Sequence, residues 1–481
     1  MRQNVKLISG LKDWSRDYEK LIPKNVSAAK NMSGVIASEI GLYIDEKGYY
    51  HTSGYVGVVW LKDYRGKVIS NSLTGEKTAL MVTPRFSLKP WDMLIKVMND
   101  PEYELYVSGD EGAFFDIYTG EELIPVPDTE GGGELLAAIS FVKECEKLCK
   151  KHLRQAMAFR EKNFNGKVVG NIQVAKHIKQ NITQAREDRV YCRYPVFTVD
   201  TLENRIMKAT LIKVKKIFRE NGITIRELGR IYSYCENALK AVRMTGITKS
   251  DFGRINTIGF NSCYKNVMEL AKVVLTGGGV NDLYGENKKE TKLVMPYTIN
   301  MERLFEFYVR ASIKEYLRKN NNSEIILDEY RMSQKNPLMT LKEADRHAYL
   351  MNHYVPDIAL ICRDGDEDKY IAVFDVKYQN SKNAVYSQTR RHNSHQLLFY
   401  TLLLNVRKCG FIFPKQKSEQ EYSDLDMYEL NIQSGDAMDV SEREYTQWTV
   451  EFTSQSDDRL AERIFHYVRG INALSQTDGA S

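Results

Sequence analysis

The sequence predicts a multidomain α+β protein, with a β-rich N-terminal domain over residues 1–130, a mainly helical middle region over 131–290 and an α/β C-terminal domain over 291–481. Three observations predict it. Strand and turn signals fill the first segment, apolar positions three and four apart fill the second, and the third sets two β-rich apolar runs around a cluster of glycine and acids. At 481 residues the chain is too long for one core.

In the first segment, Gly41–Tyr50 and Tyr55–Leu61 read as strands, with Lys62–Lys67 turning the chain after them. Met81–Phe86 is a further β-rich run. A helix from Pro90 to Met98 follows, with proline in its first turn, where the missing N–H would be unpaired anyway. Hairpin-like pieces run from Tyr103 to Val126, and Gly131-Gly132-Gly133 marks a boundary. Gly75-Glu76-Lys77-Thr78 is no nucleotide-binding loop, because the leading glycine and the adjacent Gly-Lys pair are missing.

In the middle region, helical periodicity covers Leu135–Phe159, Leu202–Phe218 and Ile223–Val242. Between the first two lie Gly170-Asn171-Ile172, Cys192-Arg193-Tyr194 and Asp200-Thr201-Leu202-Glu203-Asn204-Arg205-Ile206. Thr198 or Asp200 caps the helix that follows, with Glu203 at the capping-box position if Asp200 is the cap. The glycine cluster at Thr276–Val280 reads as a flexible turn.

The C-terminal segment carries the chemistry. Ile299–Leu317 is a helix whose buried stripe is Leu304, Phe305, Tyr308 and Val309, with Glu302 and Glu306 one turn apart beside it. Val355–Lys377 is an antiparallel hairpin; a turn centred near Asp366 sets Asp357 opposite Asp375, and period two puts Lys377 on that same face. Directly opposed acids repel and weaken a strand pair. A divalent cation reverses that sign, and carboxylates so placed suit Mg²⁺. The neighbouring ammonium is placed to orient or help deprotonate an attacking water. A third acid from the helix would complete the site, and by wheel geometry Glu302 is nearer the apolar edge. His395 then opens an apolar helix on which Gln396 and Tyr400 lie one turn apart, a polar pair that needs partners. Arg390, Arg391 and His392 either contact backbone phosphates or form a mobile basic loop. Trp448–Phe452 adds a strand, Asp457–Leu474 a closing helix capped by Ser454 or Ser456, and the tail from Ser475 is expected to be disordered.

Composition narrows the class. The net charge of +5 is modest, but basic residues outnumber acids from Lys143 to Arg219, which makes that stretch the candidate phosphate-facing surface, while Glu419–Asp458 is acid-rich. Met1–Trp14 lacks the apolar core of a signal peptide, and the longest apolar run, Leu397–Val406, is too short to span a bilayer. A cytoplasmic protein without membrane association is expected. Seven cysteines in so long a chain fit a reducing compartment. Cys145, Cys149 and His152 share a helix face without a visible fourth ligand, so helix packing is the favoured reading there.

The Val355–Lys377 hairpin resembles the active-site hairpin of the PD-(D/E)xK nuclease superfamily, and Gln396-x-x-x-Tyr400 is similar to the element trailing the active site in its RecB-like branch. The Gly-x-Ile strand, the Cys-x-Tyr strand and the Asp-Thr-x-x-Asn-Arg-Ile helix start, placed ahead of such a core, resemble the McrC family, the nuclease subunit of McrBC-type restriction systems. Thr83-Pro84-Arg85-Phe86 is similar to that family's strand ending in Pro-Lys, with arginine in place of lysine. Leu304-Phe305-Glu306 resembles the opening of its nuclease domain and Gly410-Phe411-Ile412-Phe413-Pro414 the strand that closes it.

The resemblance implies a C-terminal PD-(D/E)xK core with a mixed central sheet and a Mg²⁺-dependent endonuclease acting on double-stranded DNA in a modification-dependent system of phage defence, with Mn²⁺ able to substitute. Asp357 and Asp375 would ligate the metal with the Val376 carbonyl. Glu306, favoured over Glu302 by the Leu-Phe-Glu match, would assist directly or through water. Lys377 would position the attacking water, and Gln396 and Tyr400 would orient Lys377 or the phosphate. It also implies a separate AAA+ GTPase docked through the N-terminal region. Two other classes stay open: a RecB-like repair nuclease acting without a GTPase, and a non-catalytic stimulator of a partner NTPase.

Overall fold

The computed structural model describes residues 5–16, 22, 35–37, 41–44, 47, 49–63, 66–86, 89–100, 115–118, 121–127, 133–151, 153–222, 227–276, 291–320, 324–328, 339–343, 346–351, 356–364, 367–379, 388–414, 425–430, 443–450 and 456–469. They form an α+β protein with several sheets. The three segments expected from the sequence are distributed over two compact units: Met1–Asp116 joins Thr298–Ser481 in one, and Ile117–Tyr297 forms the other.

In the first unit, Val5–Lys12 is a strand paired in parallel with Lys77–Thr83, which pairs antiparallel with Tyr55–Trp60. The N-terminal residues thus form a strand with Ile8 and Leu11 buried, although they carry no apolar block in sequence. The sheet continues through Tyr297–Asn300, which leads into the helix Met301–Lys319. That helix starts two residues later than its apolar pattern predicts, because the Asn300 side chain caps it by accepting from Arg303 N–H at 3.1 Å. Pro90–Met98 is helical with proline in its first turn, as expected.

The C-terminal sheet is mixed. Among the described residues its order is Ile325–Leu327, Ile358–Asp364, Glu367–Val376, Lys408–Pro414, Arg443–Val450, Leu425–Leu430. The central hairpin is antiparallel, pairing Ile358 with Phe374 and Leu360 with Ala372, and a bulge shifts the register by one beyond Leu360. Glu367–Val376 runs parallel to Lys408–Pro414, so the connection must cross over. The helix Gln388–Leu403 makes that crossover, packing Leu397 and Tyr400, with Leu404 just beyond its end, on the sheet face that carries Val373 and Phe411. It begins seven residues before His395, so Arg390, Arg391 and His392 are helical and not a loop; their side chains lie outside the described residues. On the other face Phe374 meets Trp448 edge-on at 6.4 Å, and Trp448 meets Tyr467 of the closing helix Ser456–Arg469 at 5.7 Å. The last strand begins at Arg443, five residues ahead of the expected Trp448.

Gly410 has a packing reason. A Cβ there would collide with the backbone carbonyl of Thr446, its partner across the parallel pair.

The second unit departs from its helical reading in one stretch. The helix Gly133–Lys151 stops well short of Phe159, and Ala156–Asn165 pairs antiparallel with Arg189–Thr198, which also pairs with Asn171–Ile172. Alternation in these ten-residue runs favours strands, and Gly170, at φ +73° against the backbone of Arg193 and Tyr194, makes the turn into the short one. Met157, Phe159 and Phe197 stand exposed on this sheet. The helix Leu202–Glu220 is capped by Thr201, whose hydroxyl accepts from Asn204 N–H at 3.4 Å, not by Thr198 or Asp200. Asp200 instead holds Arg205 through two hydrogen bonds of 2.7 and 2.8 Å, and Glu203 pairs with Arg154. Asn204, fully buried, donates to Val199 and Arg154 carbonyls and accepts from the Tyr264 hydroxyl at 2.8 Å. The Asp-Thr-x-x-Asn-Arg run is therefore the corner that ties this unit together. Residues 277–290 and 470–481, including the expected turn and tail, lie outside the described residues. No helix among the described residues is long and apolar enough to cross a membrane.

Candidate active site

Asp357 sits immediately before the first hairpin strand and Asp375 near the end of the second. With Ile358 opposite Phe374, the next pair outward is Asp357 and Asp375. The Val376 N–H donates to the Asp357 carboxylate at 2.7 Å, which fixes one acid against the strand that carries the other. Lys377 Nζ lies 3.1 and 2.9 Å from the two oxygens of Asp375, a carboxylate with no exposed surface. Lys377 N–H donates to Ile412 at 2.9 Å, so the backbone on either side of Asp375 is anchored.

The electrostatics are those of too many acids for the cations at hand. Burial, then the charge of Asp357, pushes Asp375 up to about 7. Burial and Asp357 likewise push Glu306 up to about 8, against the pull of Arg310, Arg303 and Lys377. Asp357 is also raised, by burial, with Lys377 and the Val376 N–H opposing. Burial alone would lower the Lys377 ammonium, but the charges of Asp375, Asp357 and Glu306 outweigh it and hold the pKa above its ordinary value. Lys377 is thus a charged donor at neutral pH, suited to orienting a water and stabilising negative charge, not to taking a proton in this state. Three carboxyls around one ammonium fit a divalent cation, which would offset the burial and the mutual repulsion that raise their pKa values.

The two glutamates of the helix have separate surroundings. Glu306 belongs to the Asp357 cluster. Glu302 accepts from the Trp14 indole at 3.0 Å. Gln396 Nε2 donates to the Tyr400 hydroxyl at 3.3 Å, and Tyr400 is raised by burial, with the charges of Asp357 and Asp375 adding to the effect. Tyr400 is thus within electrostatic reach of the carboxylate cluster from the crossover helix, and Gln396 meets its hydroxyl.

The contacts of four supporting residues are not legible in the sequence. Arg310, one turn beyond Glu306 and buried, donates to the carbonyls of Asp357, at 2.9 Å, and Asp328. A charged residue among the apolar positions of that helix is its only sequence signal. Asp13 accepts from Arg85 N–H at 2.5 Å, and the Arg85 guanidinium donates to the Tyr378 carbonyl, next to Lys377. Tyr378 packs edge-on against Phe86 at 5.0 Å. No short-range pattern links position 13 to position 378.

No curated protein matches the sequence. Among solved structures, a chain of the refined half-complex from the tetradecameric assembly of Thermococcus gammatolerans McrB AAA+ hexamers with bound McrC is similar at 14% identity, with 96% of this chain and 100% of that chain covered and a TM-score of 0.38. A chain of the Thermococcus gammatolerans McrBC complex is similar at 14% identity, with 65% and 88% covered and a TM-score of 0.27. Residues 133–414, more than half of the sequence and the stretch that contains all the clustered acids, match the family described as McrBC 5-methylcytosine restriction system component, and the chain belongs to that family.

Proposed function

We propose that this chain is the Mg²⁺-dependent DNA endonuclease subunit of a modification-dependent, McrBC-like restriction system, built on a PD-(D/E)xK core and activated by a separate AAA+ GTPase. The observation that supports it most is the convergence of Asp357, Asp375 and Glu306 on Lys377 in a chain of this family. A structural hairpin gains nothing from burying opposed acids. Asp357 and Asp375 would hold the cation with the Val376 carbonyl, and Glu306 would assist directly or through water. When bound, Mg²⁺, or Mn²⁺ in its place, supplies Lewis-acid polarisation of a phosphate and of water. Lys377 orients the attacking water and neutralises charge that develops on the phosphate oxygens. Gln396 and Tyr400 keep Lys377 or the phosphate in place from the helix above. The GTPase would dock through the N-terminal region.

The test compares wild type with Asp375→Ala on methylated and unmodified plasmid, with and without Mg²⁺, the partner GTPase and GTP. Cleavage of methylated circles only in the complete mixture, lost in Asp375→Ala while the complex still forms, is expected. Mg²⁺-dependent cutting of DNA ends with no GTPase would favour a repair nuclease. Full activity in Asp375→Ala would leave only a non-catalytic role.

A further inference from the structure

The second unit holds a group of side chains that the nuclease reading does not use. Cys145 and Cys149 lie one turn apart on the helix Gly133–Lys151, and Cys235 meets them from the helix Glu227–Ala238. The three sulfurs all lie within 4.8 Å of one another. Cys145 and Cys235 are fully buried, while Cys149 is half-buried and opens the group toward solvent.

We propose that Cys145, Cys149 and Cys235 form a zinc site that crosslinks these two helices. Three thiols from two helices meet the ligand number of a zinc site with one position left for water or an incoming donor. Sulfurs this close suit a single ion with small adjustments, whereas the cysteines of a four-iron cluster each take a different iron and stand farther apart. Binding displaces the thiol protons to solvent and leaves three thiolates on one Zn²⁺. Such a crosslink fastens residues 227–238 to the helix Gly133–Lys151 at a point where helix packing alone would hold them.

The proposal is tested on the full-length chain, purified under a thiol-free reductant and dialysed against buffered Zn²⁺, with metal content read by mass spectrometry. One zinc per chain is expected, with the ratio falling to near zero in Cys149→Ser and Cys235→Ser and unchanged in Cys263→Ser, whose thiol is exposed and apart from the group. Because truncating the buried Cys235 also removes packing, Co²⁺ titration of the unsubstituted chain is the second measurement. A sulfur-to-cobalt charge-transfer band saturating at one equivalent supports the site. Absence of that band, or the same zinc content in Cys149→Ser as in wild type, overturns it.

Discussion

The Arg85 guanidinium donates to the backbone carbonyl of Tyr378, the residue that follows Lys377. The contact joins the strand end after Thr83 to the exit of the hairpin that carries the acids. Burial lowers the Arg85 pKa and pushes Asp13 up to about 6, so the pair is held at some electrostatic cost. Arg85→Ala leaves the Tyr378 carbonyl without this donor, which costs about 1–3 kcal/mol. The expected outcome is a lower melting temperature and a fall in kcat with little change in KM for DNA, since Lys377 loses an anchor but the DNA surface keeps its charges. A double-mutant cycle with Asp13→Asn should give a coupling on the order of 1 kcal/mol; additivity would show that the two act separately.

Lys377→Ala should reduce cleavage by about 10²–10⁴-fold while leaving complex formation with the proposed GTPase intact. Lys377→Arg keeps the charge but changes its reach and geometry, and should recover only part of the loss. Single-turnover cleavage is the readout, and equal rates for Lys377→Ala and wild type would remove the lysine from the chemistry.

Stability should depend on pH in a direction the acids dictate. Asp375 rises from 3.8 to about 7 and Glu306 from 4.5 to about 8 on folding, first through burial and then through the charge of Asp357. Below about pH 4 these carboxyls are protonated in both states and their contribution is fully present. As pH rises toward about 8, the unfolded chain releases protons that the folded chain retains, and stability is lost until the folded groups ionise. In chelator, the contribution of these groups should lower the melting temperature between about pH 6 and pH 8 relative to Asp375→Asn. Added Mg²⁺ should raise the melting temperature more at the higher pH, because ionised carboxylates bind it. Equal Mg²⁺ shifts at both pH values would show that these acids do not bind it.

Gly410→Ala tests the close approach of the parallel strands. The added methyl meets the Thr446 backbone, which cannot rotate away as a side chain would. Destabilisation of about 1–3 kcal/mol in urea titration is expected. A neutral result would show that the Lys408–Pro414 and Arg443–Val450 strands separate freely.

The α+β class and the hairpin were legible in the sequence because they rest on local rules: alternation, turn residues and period two set Asp357 against Asp375 without knowledge of the rest of the chain. The same locality explains the misreadings. Helical spacing near Ala156–Phe159 concealed a strand whose identity depends on a partner more than thirty residues away, at Phe197 and Thr198. The Asn204 network depends on Tyr264, and the cap on how far the chain stays extended before it turns. Tertiary structure alone decided that Met1–Asp116 and Thr298–Ser481 share one unit, that Glu302 pairs with Trp14 while Glu306 joins the acids, and that Asp13 and Arg85 reach Tyr378. The physical reason is the same in each case: a buried polar group takes whatever partner the packed chain delivers, and sequence separation carries no information about which one that is.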